Sequence, residues 1–167
     1  DEDGIANIEL KNSDDDIHKI VIQPDGKIVA GLQIWTGIRN KFVIKRFNAD
    51  GSSDNTFGNN GTVTTILSNG SYFQNDLAIQ SDGKIIVIGG KSSSSSRSFI
   101  AVRYNADGSL DTSFGNSGIA STNNSWGSVI TLQNDGKILL GGNSENANFD
   151  QDFCIVRLNS DGSLDKS

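Results

Sequence analysis

Two charged residues recur together three times in this chain. Arg46 precedes Asp54, Arg103 precedes Asp111 and Arg157 precedes Asp165, always at the same separation. Held arginines can bind carboxylate or phosphate in a fork, and aspartates can hold a cation. A pair present in every copy of a repeated unit has a plainer use. It ties a strand to the turn that follows, and the recurrence favours that structural role.

Other groups could do chemistry. Asn105-Ala-Asp107-Gly-Ser-Leu-Asp111 is rich in oxygen donors. A calcium loop of the EF-hand type alternates its donors and closes on a glutamate, and this stretch does neither. No metal or other cofactor is expected. Asp1-Glu2-Asp3 and Asp14-Asp15-Asp16 read as solvated acid runs. His18 is the single histidine, standing where Asn75 and Ser128 stand in the later copies. No Gly-x-Ser-x-Gly nucleophile motif accompanies it, so it reads as a surface or satisfied histidine. A glycosidase would need a carboxylate pair, which Asp76, Glu145, Asp150 and Asp152 could supply. No motif places any two of them, and no catalytic residue is expected. Cys154 is the lone cysteine, aligned with Val43 and Ile100, and reads as a small buried hydrophobe.

Aromatic residues gather at the connections that vary between copies. Trp35, Tyr72, Phe73, Trp126 and Phe149 lie in or beside them, with Arg39 in the first. They are either loop anchors or a face for stacking sugars or peptides, since rigid amphipathic rings suit binding surfaces.

The elements that must position these residues come from a repeat. Asn48-Ala-Asp-Gly-Ser-Ser-Asp54-Asn-Thr-Phe-Gly-Asn-Asn-Gly61 returns as Asn105-Ala-Asp-Gly-Ser-Leu-Asp111-Thr-Ser-Phe-Gly-Asn-Ser-Gly118. It begins again as Asn159-Ser-Asp-Gly-Ser-Leu-Asp165. Asp-Gly is a tight-turn dipeptide, and a turn recurring at a period of roughly 50 residues means a repeat architecture. Each unit holds a hairpin around a second Asp-Gly turn, then a variable loop, a third strand and a short fourth. The hairpins are Ile17–Gly31, Asp76–Gly90 and Ser128–Gly142. The loops are Leu32–Lys41, Lys91–Ser98 and Asn143–Asp152. The third strands are Phe42–Phe47, Phe99–Tyr104 and Phe153–Leu158, and the fourth are Gly61–Leu67 and Gly118–Ser121. The third strands are apolar on both parities, so both of their faces are covered. Four-stranded units stacked face to face are propeller blades; a two-sheet sandwich is the structural alternative. The fold class is all-β and propeller-like, with three antiparallel blades in one domain over residues 1–167. The units are 4–67, 68–121 and 122–167.

Composition agrees. Nineteen glycines in 167 residues, with 35% hydrophobic content, fit a turn-rich β-protein. A net charge of −6 argues against nucleic acid or an anionic membrane as partner. No apolar run is long enough for a spanning helix. Methionine is absent, position 1 included, which reads as a processed or excised piece.

The combined motif resembles the delta-60 repeat of bacterial surface and secreted proteins. It is carried by Gln23-Pro-Asp-Gly-Lys27, Gln80-Ser-Asp-Gly-Lys84 and Gln133-Asn-Asp-Gly-Lys137 with the tails quoted above. The resemblance covers about residues 17–167 and Gly4–Ala6. It implies a propeller-like fold, an extracellular or cell-surface setting and no general enzymatic activity. The expected function is non-catalytic binding or assembly, with a glycan or protein as ligand; a propeller glycosidase is the alternative.

Two expectations follow from the strand order. Antiparallel strands send alternate connections to opposite faces, so the Asp-Gly turns share one face and the variable loops the other. Function is expected on the loop face. Secondly, three blades do not close a propeller. Gly4-Ile5-Ala6 repeats Gly118-Ile119-Ala120, so it can supply the fourth strand of the third unit. The chain is therefore expected to pair head to tail as a six-bladed dimer, with a filament, or a longer parent chain bearing the missing blades, as the alternative.

Overall fold

Each hairpin is shaped by its own turn. Gly26 takes φ +83°, a conformation open to glycine at little cost. Asp25 Oδ1 accepts from the Lys27 amide at 3.1 Å, and Gly26 N donates to Gln23 O at 2.9 Å. The same turn recurs at Asp82-Gly83 and Asp135-Gly136. The second turn of each unit adds a serine. Ser52 donates its amide and hydroxyl to Asp50 Oδ1 (2.9 and 2.6 Å), and Ser109 does likewise with Asp107.

The computed structural model describes residues 15–35, 40–67, 71–92, 97–123, 125–145 and 150–167. The first sheet holds β1 (Asp15–Ile22), β2 (Ile28–Trp35), β3 (Asn40–Phe47) and β4 (Thr62–Thr65), in sequential order. The second holds β5 (Ser71–Ile79), β6 (Ile85–Ser92), β7 (Arg97–Tyr104) and β8 (Ile119–Asn123), also in order. The third holds β9 (Ser125–Leu132), β10 (Ile138–Glu145) and β11 (Gln151–Leu158). All pairing within the sheets is antiparallel, and no helix occurs among the described residues. This is a propeller-like stack of three blades. β1, β5 and β9 lie side by side, as the inner strands of blades do. Each carries a bulge, at His18, Asn75 and Ser128.

Both faces of the second sheet are buried, as the two-sided apolar strands require. Ile85, Val87, Ile100, Val102 and Tyr104 pack on Val29, Phe42, Ile44 and Phe57 of the first unit. Ile86, Ile88, Phe99 and Ala101 pack on Ile138, Leu140 and Leu158 of the third. A smaller cluster of Ala30, Leu32 and Val43 sits on the other face of the first sheet.

The strands run further than the sequence reading expects. The loops expected at 32–41, 91–98 and 143–152 shrink, because β2, β6 and β10 continue to Trp35, Ser92 and Glu145. Glycines that look like strand ends are interior positions. A Cβ on Gly89 would lie 2.8 Å from Phe42 Cζ, and one on Gly142 would lie 3.0 Å from Phe99 Cζ. Each glycine makes room first for the carbonyl of the adjacent strand, Phe73 O or Trp126 O, and then for a ring from the preceding sheet. The Gly4–Ala6 strand lies outside the described residues.

Candidate functional site

The repeated charges come first. Arg46 Nε donates to Asp54 Oδ2 at 2.7 Å, and Lys27 Nζ reaches the same oxygen at 2.8 Å. Asp54 Oδ1 accepts from the amide and hydroxyl of Thr56 at 3.0 and 2.6 Å. The second unit repeats this with Arg103, Lys84, Asp111 and Ser113. The third does so with Arg157, Lys137 and Asp165. The Lys27, Thr56 and Arg46 bonds hold the Asp54 carboxyl well below the usual carboxylate range. Ser113 and Lys84 do the same for Asp111, and Lys137 and Ser167 for Asp165. The arginine and aspartate therefore pair within each repeat. The lysine of each Gln-x-Asp-Gly-Lys motif is a third member that the sequence reading left out.

The arginines also reach across units. Arg46 lies 4.4 Å from the Phe57 ring centroid and donates from Nη1 to the Ala106 carbonyl of the next unit at 2.6 Å. Arg103 stacks on Phe114 in the same way and donates to Ser160 O. Beside each contact a backbone bond crosses as well, Gly58 N to Asp107 O (2.9 Å) and Gly115 N to Asp161 O (2.7 Å). This staple joins each Phe-Gly turn to the next unit's Asp-Gly turn. Only glycine fits at position 108, where φ is +88° and a Cβ would meet Val63 Cγ2 at 2.7 Å.

Near the inner strands, Asp76 is nearly buried and fully engaged. Its carboxylate takes Lys19 Nζ at 3.2 Å, the Leu77 amide at 2.9 Å and the Ile130 amide of the next sheet at 3.1 Å. Asn75 donates to Gly127 O. These groups join blades. Asp152 is exposed on β11, and the Glu145 side chain lies outside what is described. Cys154 packs against the second cluster, and burial pushes its thiol up. Among the described residues no group of three or more His, Cys, Asp and Glu is placed to hold a metal ion.

The aromatic candidates separate. Tyr72 is a core residue, 4% exposed and edge-on to Phe42, so it is corrected from the binding face to the interior. Phe73 and Trp126 lie together, with ring centroids 5.2 Å apart and a 36° tilt. They occupy matching places on β5 and β9. Trp35 ends β2, its side chain outside what is described; Arg39 and Phe149 lie outside the described residues. Trp126 rests on Gly90, where a Cβ would come 2.7 Å from Cδ2. Arg97 lies 5.5 Å from the indole centroid. A groove of about 340 Å³ opens beside this cluster, lined also by Ser92, Asn143 and Gln151. These residues come from the loop-side ends of β5, β6, β7, β9, β10 and β11. The sequence reading missed Ser92, Arg97, Asn143 and Gln151. Their signal was difference: Arg97 answers to Asn40 and Gln151 in the other units, and Ser92 to Trp35 and Glu145.

Stacked antiparallel blades tied by a repeated Arg–Asp–Lys trio define a propeller repeat protein. A family model described as a domain of unknown function (DUF5122) beta-propeller matches residues 23–57, 80–114 and 133–167, and the chain belongs to that family. No curated protein and no solved structure gives a significant match.

Proposed function

We propose that the chain is a non-catalytic binding and assembly module, and that its third blade is completed by a second copy. One observation carries this. Phe42 and Phe99 are 1% and 0% exposed because the next sheet covers them, whereas the matching Phe153 is 89% exposed. Ile155, beside it on the same face, is 72% exposed. Uncovered apolar faces of this kind mark interaction surfaces.

The edge beyond that face supports the reading. β4 and β8 border the outer edges of β3 and β7, but no described strand borders the outer edge of β11. A cleft of about 590 Å³ runs beside β11, lined by Cys154, Val156, Leu158 and Leu164 on one side and β8 on the other. An added strand would gain main-chain hydrogen bonds there. Gly4-Ile5-Ala6 of a second copy matches the strand that fills this place in the second unit. Ile20 and Ile22, exposed on β1 of that copy, would face the third sheet as Leu77 and Ile79 face the first. One position differs. Leu32 stands where Gly89 and Gly142 lie, and with Ala30 and Val43 it is already buried in the single chain, so Phe153 would meet the exposed Ile20 and Ile22 rather than that part of the sheet.

The low carboxyl pKa values do not point to turnover. Each such aspartate is locked by a lysine and an arginine, in all three units, and accepts hydrogen bonds only. Sedimentation of the chain across a range of concentrations tests the assembly. A dimer or longer series that disappears in Phe153→Asp, and weakens when residues 1–10 are deleted, is the expected result. A folded monomer at every concentration refutes the second-copy reading.

A further inference from the structure

We infer that the groove beside Trp126 is a saccharide-binding site. The inference rests on the reading of the chain as a binding module and names the ligand class of its loop face.

The lining matches the chemistry of a sugar ring. A pyranose has an apolar face of C–H groups and a rim of hydroxyls that donate and accept. Trp126 and Phe73 form a tilted aromatic wall, held from below by Gly90. Asn143, the cross-strand partner of Trp126, and Gln151, both exposed, each offer a carboxamide that donates and accepts, and Ser92 adds a hydroxyl. Among the described residues no carboxylate lines the groove. Among the described lining residues the charged side chain is Arg97, stacked against the indole. At about 340 Å³ the space lies at the small-molecule end of binding pockets and admits one or two sugar units rather than a folded partner.

The repeat itself provides the second argument. Residues that every blade needs recur in every unit: the arginine, the aspartate, the lysine and the turn glycines. The groove residues do not. Asp16 and Phe73 stand at the place of Trp126, Asn40 and Gln151 at that of Arg97, and Trp35 and Glu145 at that of Ser92. The stacking of blades therefore does not require this set. It occurs once, between the second and third sheets, on the face where the connections vary.

The test uses the full chain carrying Trp35→Phe, so that its fluorescence reports Trp126 alone. Cellohexaose, chitohexaose, mannohexaose and a hexagalacturonate are titrated after a glycan-array screen, the last to read any preference of Arg97 for a carboxylate. A saturable emission change with at least one saccharide is expected. Gln151→Ala should weaken binding about threefold to tenfold, and Trp126→Ala should abolish it on the array. Urea unfolding of each variant checks that it is folded. The groove inference is overturned if no saccharide on the array or in the panel binds, or if binding is unchanged in both folded variants. In the latter case the module reading survives. Hydrolysis of a bound saccharide would instead overturn the non-catalytic reading and leave the groove standing.

Discussion

Replacing Asp111 by asparagine tests what the repeated charges do. The change keeps the size and leaves Oδ1 to accept from Ser113. It removes the anion that faces Arg103 Nε at 2.7 Å and Lys84 Nζ at 2.9 Å. Lys84 is 29% exposed and can turn to water, but the Arg103 side chain is 7% exposed, wedged on Phe114 and bonded to the next unit. A buried cation stripped of its partner costs about 3–5 kcal/mol. Set against a total stability of about 5–15 kcal/mol, that is a large share. At about 2–4 °C per kcal/mol for a chain of this size, the melting temperature should fall by about 6–20 °C. Asp165→Asn is the internal control. It faces the same kinds of cation, but the Arg157 side chain is 34% exposed and donates to Ser167 instead of to a following unit. Its loss should be clearly smaller in dilute protein, and should grow with concentration if a second copy covers the third blade. Thermal and urea unfolding of both variants measure this. Equal losses in dilute solution would refute the claim that burial by the next unit gives the trio its weight.

The remaining expectations are short. Asp54, Asp111 and Asp165 have folded-state pKa values below their ordinary 3.8, so the unfolded chain takes up protons first as pH falls. Their stabilisation is whole above the ordinary carboxylate pKa and is lost as pH falls below it toward the folded values. Urea midpoints should therefore be governed by these groups only below about pH 4, with Asp111→Asn flattening the acid decline; an unaltered acid profile in that variant contradicts this assignment. Gly51 and Gly108 have nearly equal φ, +84° and +88°, but a Cβ has nothing within 4 Å at Gly51. Alanine should cost about 1–2 kcal/mol at Gly51, from the backbone alone. At Gly108 it should cost about 1–3 kcal/mol more, from the clash with Val63 and Phe57. Chemical denaturation of the two variants compares them, and equal costs would mean that the staple is not tightly packed.

Much of this fold was legible because the chain states it more than once. The paired Asp-Gly turns, the Arg–Asp spacing and the two-sided strands each recur, and repetition separates a signal from chance. The alignment of His18 with Asn75 and Ser128, read from sequence as mere correspondence, marks the bulge of each inner strand. What did not show was anything carried between units. Arg46 reaching Ala106 and Arg103 reaching Ser160 depend on how sheets stack, and neither carbonyl has a sequence signature. The interior glycines misled for a related reason. Gly90 and Gly142 look like strand ends, but the strands run on past them, and a Cβ on Gly142 would meet both Trp126 O of the adjacent strand and the Phe99 ring of the preceding sheet. Tyr72 looked like a loop aromatic and is core, since β5 begins at Ser71, ahead of the start expected at Asp76.

The staple and the groove divide the molecule's faces. On the Asp-Gly face, every contact between units runs through groups that each unit must keep: an arginine, a ring, a glycine and a backbone carbonyl. A substitution there disturbs a blade and its neighbour together, so that face has little freedom to acquire a ligand. At the other end the strands are joined by connections of different length, and the matching positions hold Asp16, Phe73 and Trp126 without loss of the sheet. Freedom to vary and a rigid support meet at one place, where Gly90 of the well-packed second sheet bears the indole of the third. A site needs both, a wall that does not move and residues that stacking leaves unconstrained. That is the physical reason to look for function beside Trp126 rather than among the more conspicuous repeated charges.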